Sequence, residues 1–331
     1  MGKPILVTGA TGFLGQRLVA ELRRVQPGVP LRLLCRGPSP WDSDSGLEVI
    51  RGDITSAADV QRAMEGAGGV YHLAGLVSRD PGQQTRLYAT HLQGARNVCE
   101  AARRTAPEKI IFVSSSGTIA VSREPVEHDE ASGYKHDIVG QWPYYLSKIF
   151  AEKLAFSCAR EWGLPIVVVS PSLVLGPGDD RGSSTGDIDL FLEGQILAAP
   201  PGGLSFLDAR DAAAGLIAAM RCGRAGERYL LGAENWTFRH LMEALAGITG
   251  VRAPRLRLPL AASLAGARLM RALYPLAGKT FRLDEATIRM STLFWYCNTA
   301  KARAELGFQT RDPLETLRDT VEDIRRRRPP S

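Results

Sequence analysis

The sequence has no Cys-x-x-Cys pair. Its five cysteines (Cys35, Cys99, Cys158, Cys222 and Cys297) are scattered over 331 residues. That sparse, odd set suits neither a disulfide scaffold nor a zinc site, and no metal is expected. No apolar run approaches the roughly 18 residues of a spanning helix, which argues against an integral membrane protein. No signal-peptide pattern opens the chain, because Met1-Gly2-Lys3-Pro4 leads straight into a short apolar run. A cytoplasmic location is expected, where the sequon Asn235-Trp236-Thr237 would stay unmodified. Internal repeats are lacking too, as is a strong excess of one charge. Lys plus Arg number 41 and Asp plus Glu 35, and four of the positives form the run Arg325–Arg328. The body is close to neutral, so no nucleic-acid partner is expected. With 44% hydrophobic and 23% charged residues the chain reads as globular rather than disordered.

What is present alternates. Ile5-Leu6-Val7 reads as a buried strand, and a helix follows to about Arg24 on the spacing of Leu14, Leu18 and Leu22. Pro27-Gly28 stops it. Further strands are expected at Leu31–Cys35, Val49-Ile50, Val70–Leu73, Lys109–Ser114 and Ile166–Ser170. Helices are expected at Ala57–Glu65, Leu87–Arg104 and Tyr144–Arg160. This order predicts an α/β, Rossmann-type doubly wound parallel sheet. Residues 1–175 would form the dinucleotide-binding domain, with later contributions from about 205–232. Residues 176–331 would form a smaller, mostly helical, substrate-binding cap. Its helices are predicted at Leu190–Leu197, Ala209–Arg221, Phe238–Thr249, Leu260–Tyr274 and Leu314–Arg326, after a mobile loop over Gly176–Asp189. The apolar stretch Leu258–Leu276 is read as a cap helix packed on the core rather than a membrane-surface helix.

Thr8-Gly9-Ala10-Thr11-Gly12-Phe13-Leu14-Gly15 joins the first strand to the first helix. One glycine makes the tight turn, a second lets a pyrophosphate approach the backbone, and the third lets helix and strand pack closely. The helix N-terminus offers free N–H groups and a positive dipole end to phosphate. Thr8, Gly9, Thr11, Gly12, Phe13, Leu14 and Gly15 are therefore the expected dinucleotide loop. An acidic residue at the end of the second strand would hold a ribose 2′-hydroxyl. Here Cys35 is followed by Arg36, with Ser39 nearby. A guanidinium suits a 2′-phosphate, so NADP is preferred and NAD remains open. Asp53, beside Ile54, is placed to accept from the adenine amino group. Leu73, Ala74 and Gly75 should line the cofactor with small side chains.

Tyr144 and Lys148 are spaced i, i+4 and share a helix face. An ammonium there lowers a phenol's pKa and fits it for proton transfer. The strand ending in Ser114-Ser115-Ser116 offers a hydroxyl to the same substrate oxygen.

The chain resembles the extended short-chain dehydrogenase/reductases, and among them the dihydroflavonol-4-reductase-like and hopanoid-associated sugar epimerase-like groups. The resemblance spans nearly the whole chain. It rests on TGATGFLG (8–15), GDIT (52–55), HLAG (72–75), SSSGT (114–118), YYLSK (144–148), SPSLVLGPGD (170–179), GERYLLGAEN (226–235) and ELGF (305–308). It implies a triad of Ser115, Tyr144 and Lys148, with Ser116 competing for the serine role and Tyr145 for the tyrosine role. Lys148 would also bind the nicotinamide ribose. Pro171, Leu173 and Val174 would border the carboxamide. Dimerisation through Leu87–Arg104 and Tyr144–Arg160, common in the family, is open to this chain. Two positions depart from the family pattern. His91 stands where many members have an asparagine that supports the lysine through water, and is read as a packing or hydrogen-bonding replacement. Ser115-Ser116-Gly117 replaces the Thr-Asp-Glu of sugar-nucleotide dehydratases, which argues against water elimination.

Three functions follow, in this order. The first is an NADP(H)-dependent oxidoreductase acting on a carbonyl or alcohol of a small hydrophobic molecule. The second is a nucleotide-sugar epimerase holding NAD, with Arg252, Arg255 and Arg257 as candidates for a diphosphate. The third is a non-catalytic NADP sensor. The acids Asp179, Asp180, Asp187 and Asp189 face only Arg181 in the local sequence, which would repel a diphosphate. Leu190, Phe191, Leu204, Phe206 and Leu207 are read as apolar walls of the substrate site.

Overall fold

The computed structural model describes residues 2–328. Seven strands form one parallel sheet: β1 (Ile5–Thr8), β2 (Leu31–Cys35), β3 (Leu47–Arg51), β4 (Gly69–His72), β5 (Lys109–Val113), β6 (Ile166–Pro171) and β9 (Arg228–Leu231). Their spatial order is 3-2-1-4-5-6-9. Strand order reverses between β1 and β4, the switch point where doubly wound sheets open a ligand crevice at the strands' carboxyl ends. All six residues of β6 are buried. That matches its unbroken apolar run, since helices cover both faces of the sheet. On one face the Phe13–Val25 and Ala209–Cys222 helices pack through Leu18, Leu22, Ala212 and Leu216. On the other the Ala57–Met64, Gly94–Thr105 and Pro143–Trp162 helices pack through Val60, Val98 and Ala155.

A second sheet lies in the C-terminal part. Strand β8 (Gly203–Asp208) bonds β10 (Glu234–Thr237) antiparallel. It bonds β7 (Leu173–Leu175) and β11 (Phe294–Trp295) parallel. Phe206, Trp236, Leu241, Leu245 and Val321 join in its core.

Three local expectations need correction, and a fourth holds in part. The segment read as a mobile loop is tied down. The buried Asp179 carboxylate accepts from the backbone N–H groups of Ser183, Ser184 and Thr185, and Gly178 N–H donates to Asp323. The helix expected at Leu190–Leu197 instead spans Gly186–Leu192. It ends where Gly194 adopts φ +66°, a left-handed conformation suited to glycine. The helix expected over Leu87–Arg104 comes in three pieces: Gln84–Tyr88, a π-helical turn Ala89–Gln93, and Gly94–Thr105. Such turns often mark functional positions, and this one carries His91. Finally, the Leu260–Leu273 helix buries only Leu264 and Ala267. Leu264 and Ala267 pack with Phe281 and Ile288, as a cap helix should, but the helix's opposite apolar face stays in solvent.

Candidate active site

The glycine loop is built by close contact. Gly9 has φ +75°, and a Cβ there would stand 2.7 Å from the backbone of Leu73 and Ala74. A Cβ on Gly15 would stand 2.1 Å from the carbonyl oxygen of Gly9. Neither site admits a side chain. Gly12 differs: its Cβ would touch only Gly9 O, at 3.3 Å, and it lines a cleft. Gly12 is the N-cap of the helix, no side chain caps it, and Gln16 N–H makes the first helical bond, to Gly12 O. The N–H groups of Phe13, Leu14 and Gly15 are therefore left for a ligand, as at an anion-binding helix start. This cradle fits a dinucleotide pyrophosphate.

The expected cofactor residues divide by position. Gly9, Thr11, Gly12, Phe13, Leu14, Gly15, Leu73, Gly75, Pro171, Leu173 and Val174 line the cleft with Ser115, Tyr144 and Lys148. Thr8 lies behind it. Its buried hydroxyl pairs with His72 Nδ1 at 2.9 Å and accepts from Ala74 N–H. Ile54 and Ala74 pack in the core beneath. Arg36 follows β2 with its side chain 70% exposed, 4.0 Å from Asp53. Asp53 Oδ1 accepts from Thr55 N–H and its hydroxyl. Ser39, the expected helper of Arg36, donates to Asp42 instead.

The three serines sort themselves. Ser114 donates to the buried Glu152 at 2.5 Å. Ser116 is buried and turned to Cys297. Ser115, half-buried, lies against the Tyr144 hydroxyl. Burial raises the Tyr144 phenol above its ordinary pKa, and Ser115 opposes that rise. The lowered phenol expected from Lys148 is not found. The Lys148 ammonium points to the Val113 carbonyl at 3.0 Å, and burial lowers its pKa to about 8 against the pull of Glu152. Tyr144, Lys148 and Glu152 follow one another at i, i+4, i+8, a spacing that could have revealed Glu152. Its carboxylate pairs with Arg228.

His91 is buried at the edge of this group, its ring 5.8 Å from that of Tyr144. Leu76 N–H donates to His91 Nε2 at 3.1 Å. The proton therefore sits on Nδ1, which donates to Ser147 Oγ at 2.8 Å. Ser147 in turn donates to the Tyr144 carbonyl. Burial and Lys148 push the His91 pKa well down, so the ring is neutral. This agrees with its reading as a hydrogen-bonding replacement. A side chain at Gly75 would press on His91 Nε2 (3.2 Å) and Lys148 Nζ (3.5 Å).

The cleft encloses about 1160 Å³ in all. Phe191, Ile196, Leu241, Met242, Phe281 and Ile288 give it apolar lining, beside the polar Asp187, Gln195, Asp284 and Thr287. Trp142, Tyr145 and Trp295 also line it, and Tyr145 stacks on Trp295 at 5.0 Å. Of the apolar walls expected, Phe191 and Leu204 line the cleft. Leu190 lies outside it, and Phe206 and Leu207 are sealed in the cores behind. Two of the four acids thought to repel a diphosphate are neutralised by distant cations, whereas Asp179 is held by the N–H groups of residues 183–185 and the exposed Asp180 lines the cleft. Asp187 holds Arg79 through both oxygens, and Asp189 pairs with Arg282 and Arg328. Arg252, Arg255 and Arg257 are exposed and do not line the cleft. Gly117 packs under Tyr145, where a Cβ would stand 2.3 Å from the ring. A catalytic side chain there has no room, which agrees with the absence of dehydratase residues.

Comparison with known proteins places this geometry. The model of the NAD dependent epimerase/dehydratase family matches residues 5–232. A Synechocystis protein named "Putative dihydroflavonol 4-reductase" is 32% identical, over 97% of this chain and 94% of that one. Sterol demethylase protein B of Methylococcus capsulatus is 30% identical, over 97% and 98%. The crystal structure of a nucleoside-diphosphate-sugar epimerase from Pseudomonas aeruginosa superposes with a TM-score of 0.76 at 28% identity, over 98% and 97%. The chain belongs to the NAD-dependent epimerase/dehydratase family and is an NAD(P)-dependent enzyme of the extended short-chain dehydrogenase/reductase type.

Proposed function

We propose that this protein is an NADPH-dependent reductase of a hydrophobic ketone or aldehyde, running in reverse as an alcohol dehydrogenase. The glycine loop would hold the pyrophosphate of NADPH, whose nicotinamide would supply hydride to the carbonyl carbon. Tyr144 gives its phenolic proton to the carbonyl oxygen, and Ser115 donates a hydrogen bond to that oxygen. A phenol is protonated at neutral pH, as a reduction requires, and Ser115 opposes the rise that burial imposes on it. Lys148 balances the phenolate left behind and binds the nicotinamide ribose. Neutral His91, through Ser147, fixes the helical turn that carries Tyr144 without adding a competing charge. Arg36 meets the 2′-phosphate; its exposed guanidinium beyond β2 and the absence of an acid at that strand's end support the choice of NADP.

The observation that carries the substrate class is the set of apolar side chains, Phe191, Ile196, Leu241, Met242, Phe281 and Ile288, that line the cleft with Tyr144. The cleft exceeds the roughly 300–1,000 Å³ usual for one small ligand, which suits a cofactor together with a ring-bearing substrate. The epimerase reading finds few anchors for a diphosphate. Among the described lining residues the cations are Arg79, Lys148 and Arg181, and Arg79 is held by Asp187. A sensor would not need both Tyr144 and Lys148. The test is NADPH oxidation across a panel of ketones from small and polar to polycyclic. Turnover confined to the large apolar members supports the reading, and turnover of none sinks it.

A further inference from the structure

The C-terminal segments that contribute to the cleft lining also carry an unusual outer surface. Leu197, Leu256, Leu260, Leu269, Leu273 and Leu276 are all exposed, at 48, 56, 36, 58, 45 and 83%. They make up six of the ten large apolar side chains exposed among the described residues. On the Leu260–Leu273 helix and the turn after it, Ala262, Ala265, Leu269, Leu273 and Leu276 recur at three- and four-residue spacings. They lie opposite the buried Leu264 and Ala267, so the helix has two apolar faces. The inner one, through Ser263 and Ala267, lines the cleft. Solvent-facing leucines in such a patch mark an interaction surface.

Charge identifies the occupant. From residue 244 to 283 the sequence holds no acidic residue and seven cations. Arg268 and Arg282 pair with acids outside that stretch. Arg252, Arg255, Arg257 and Lys279 are exposed, and none of them has an ion-pair partner among the described residues. Leucines flanked by uncompensated cations fit the interface of an anionic bilayer, where the leucines enter the acyl boundary and the cations meet headgroups. Among the described residues no helix is long and apolar enough to cross a membrane, so the helix would lie on the surface. We propose that the Leu260–Leu273 helix and the basic segment before it dock this protein on an anionic lipid surface. Leu197 and Leu260 belong both to the patch and to the cleft lining. The cleft's rim thus sits at the lipid surface, in reach of a substrate dissolved there. That last step rests on the hydrophobic-ketone reading, whereas docking does not, and the test needs no turnover.

The full chain is sedimented with phosphatidylcholine vesicles, with and without phosphatidylglycerol. The expected result is binding to the phosphatidylglycerol vesicles alone, weakening as salt is raised. Leu269→Glu/Leu273→Glu, which lies outside the cleft lining, should weaken that binding by about tenfold or more. Its melting curve and cofactor binding should stay unchanged. Arg252→Glu/Arg255→Glu/Arg257→Glu should abolish it by reversing the charge, and serves if the leucine variant misfolds. No binding to either vesicle would overturn the proposal, as would binding that neither variant weakens. A dimer in solution that Leu269→Glu/Leu273→Glu turns into a monomer would also overturn it, because the face would then be a subunit contact.

Discussion

Replacing Lys148 by methionine should stabilise the cofactor-free protein near neutral pH, although it removes a residue of the proposed triad. The ammonium is buried with only the Val113 carbonyl as a hydrogen-bond acceptor, and its pKa falls from 10.5 to about 8. Below pH 8 both folded and unfolded chains hold the proton, and the fold carries the whole cost of the buried charge. That cost is roughly 3 kcal/mol for such a shift. Methionine keeps the apolar stem but leaves the Val113 carbonyl unpaired, at about 1 kcal/mol. The variant should therefore be about 2 kcal/mol more stable at roughly pH 7. Between pH 8 and 10.5 the folded wild type sheds its proton while the unfolded chain keeps it. Wild-type stability therefore rises with pH relative to the variant, and the gap should narrow by about 2 kcal/mol by roughly pH 10. Urea unfolding of both proteins at the two pH values, without cofactor, gives the double difference, in which lost packing cancels. A variant less stable at neutral pH, or a gap that stays constant, would refute the reasoning.

Arg36→Ala should weaken NADPH by roughly tenfold or more, the worth of a charge-assisted contact to phosphate, and leave NADH nearly unchanged; equal losses by calorimetry would remove the 2′-phosphate role. Gly12→Val should fold yet bind no cofactor, because its side chain projects into the cleft, whereas Gly15→Val should fail to fold against the Gly9 carbonyl 2.1 Å away. Cofactor binding to folded Gly12→Val would contradict the cradle. Tyr144→Phe should lose turnover by roughly 10²–10⁴-fold, the range of general acid catalysis, with cofactor still bound. If Tyr145→Phe, which removes a hydroxyl from the ring stacked on Trp295, proves the more damaging change, the roles are reversed.

Much of this site could be read from spacing, because its signals are local. The glycine loop sits between one strand and one helix, and Tyr144 and Lys148 share a helix face. What escaped the sequence depends on distant partners. Asp187 and Asp189 look like unpaired acids until the fold brings up Arg79, Arg282 and Arg328, which lie 93 to 139 residues from Asp189 in two cases. Strand β8 is buried along its whole length and follows Pro200-Pro201-Gly202, so neither alternation nor a helical period announces it. Periodicity finds apolar stripes on the Leu260–Leu273 helix but cannot say which one meets the core. The fold buries Leu264 and leaves Leu269 and Leu273 in solvent.

The central claim is that this chain transfers hydride from NADPH to a hydrophobic carbonyl and releases the oxidised cofactor. The direct measurement uses NADPH deuterated at its transferable hydrogen, with mass spectrometry of the products. The account predicts one deuterium on the carbinol carbon of the apolar alcohol, one equivalent of NADP released per product, and neither event in Tyr144→Phe. Interconversion of a nucleotide sugar by the protein as purified, with no net oxidation of cofactor and no deuterium leaving it, would contradict the account.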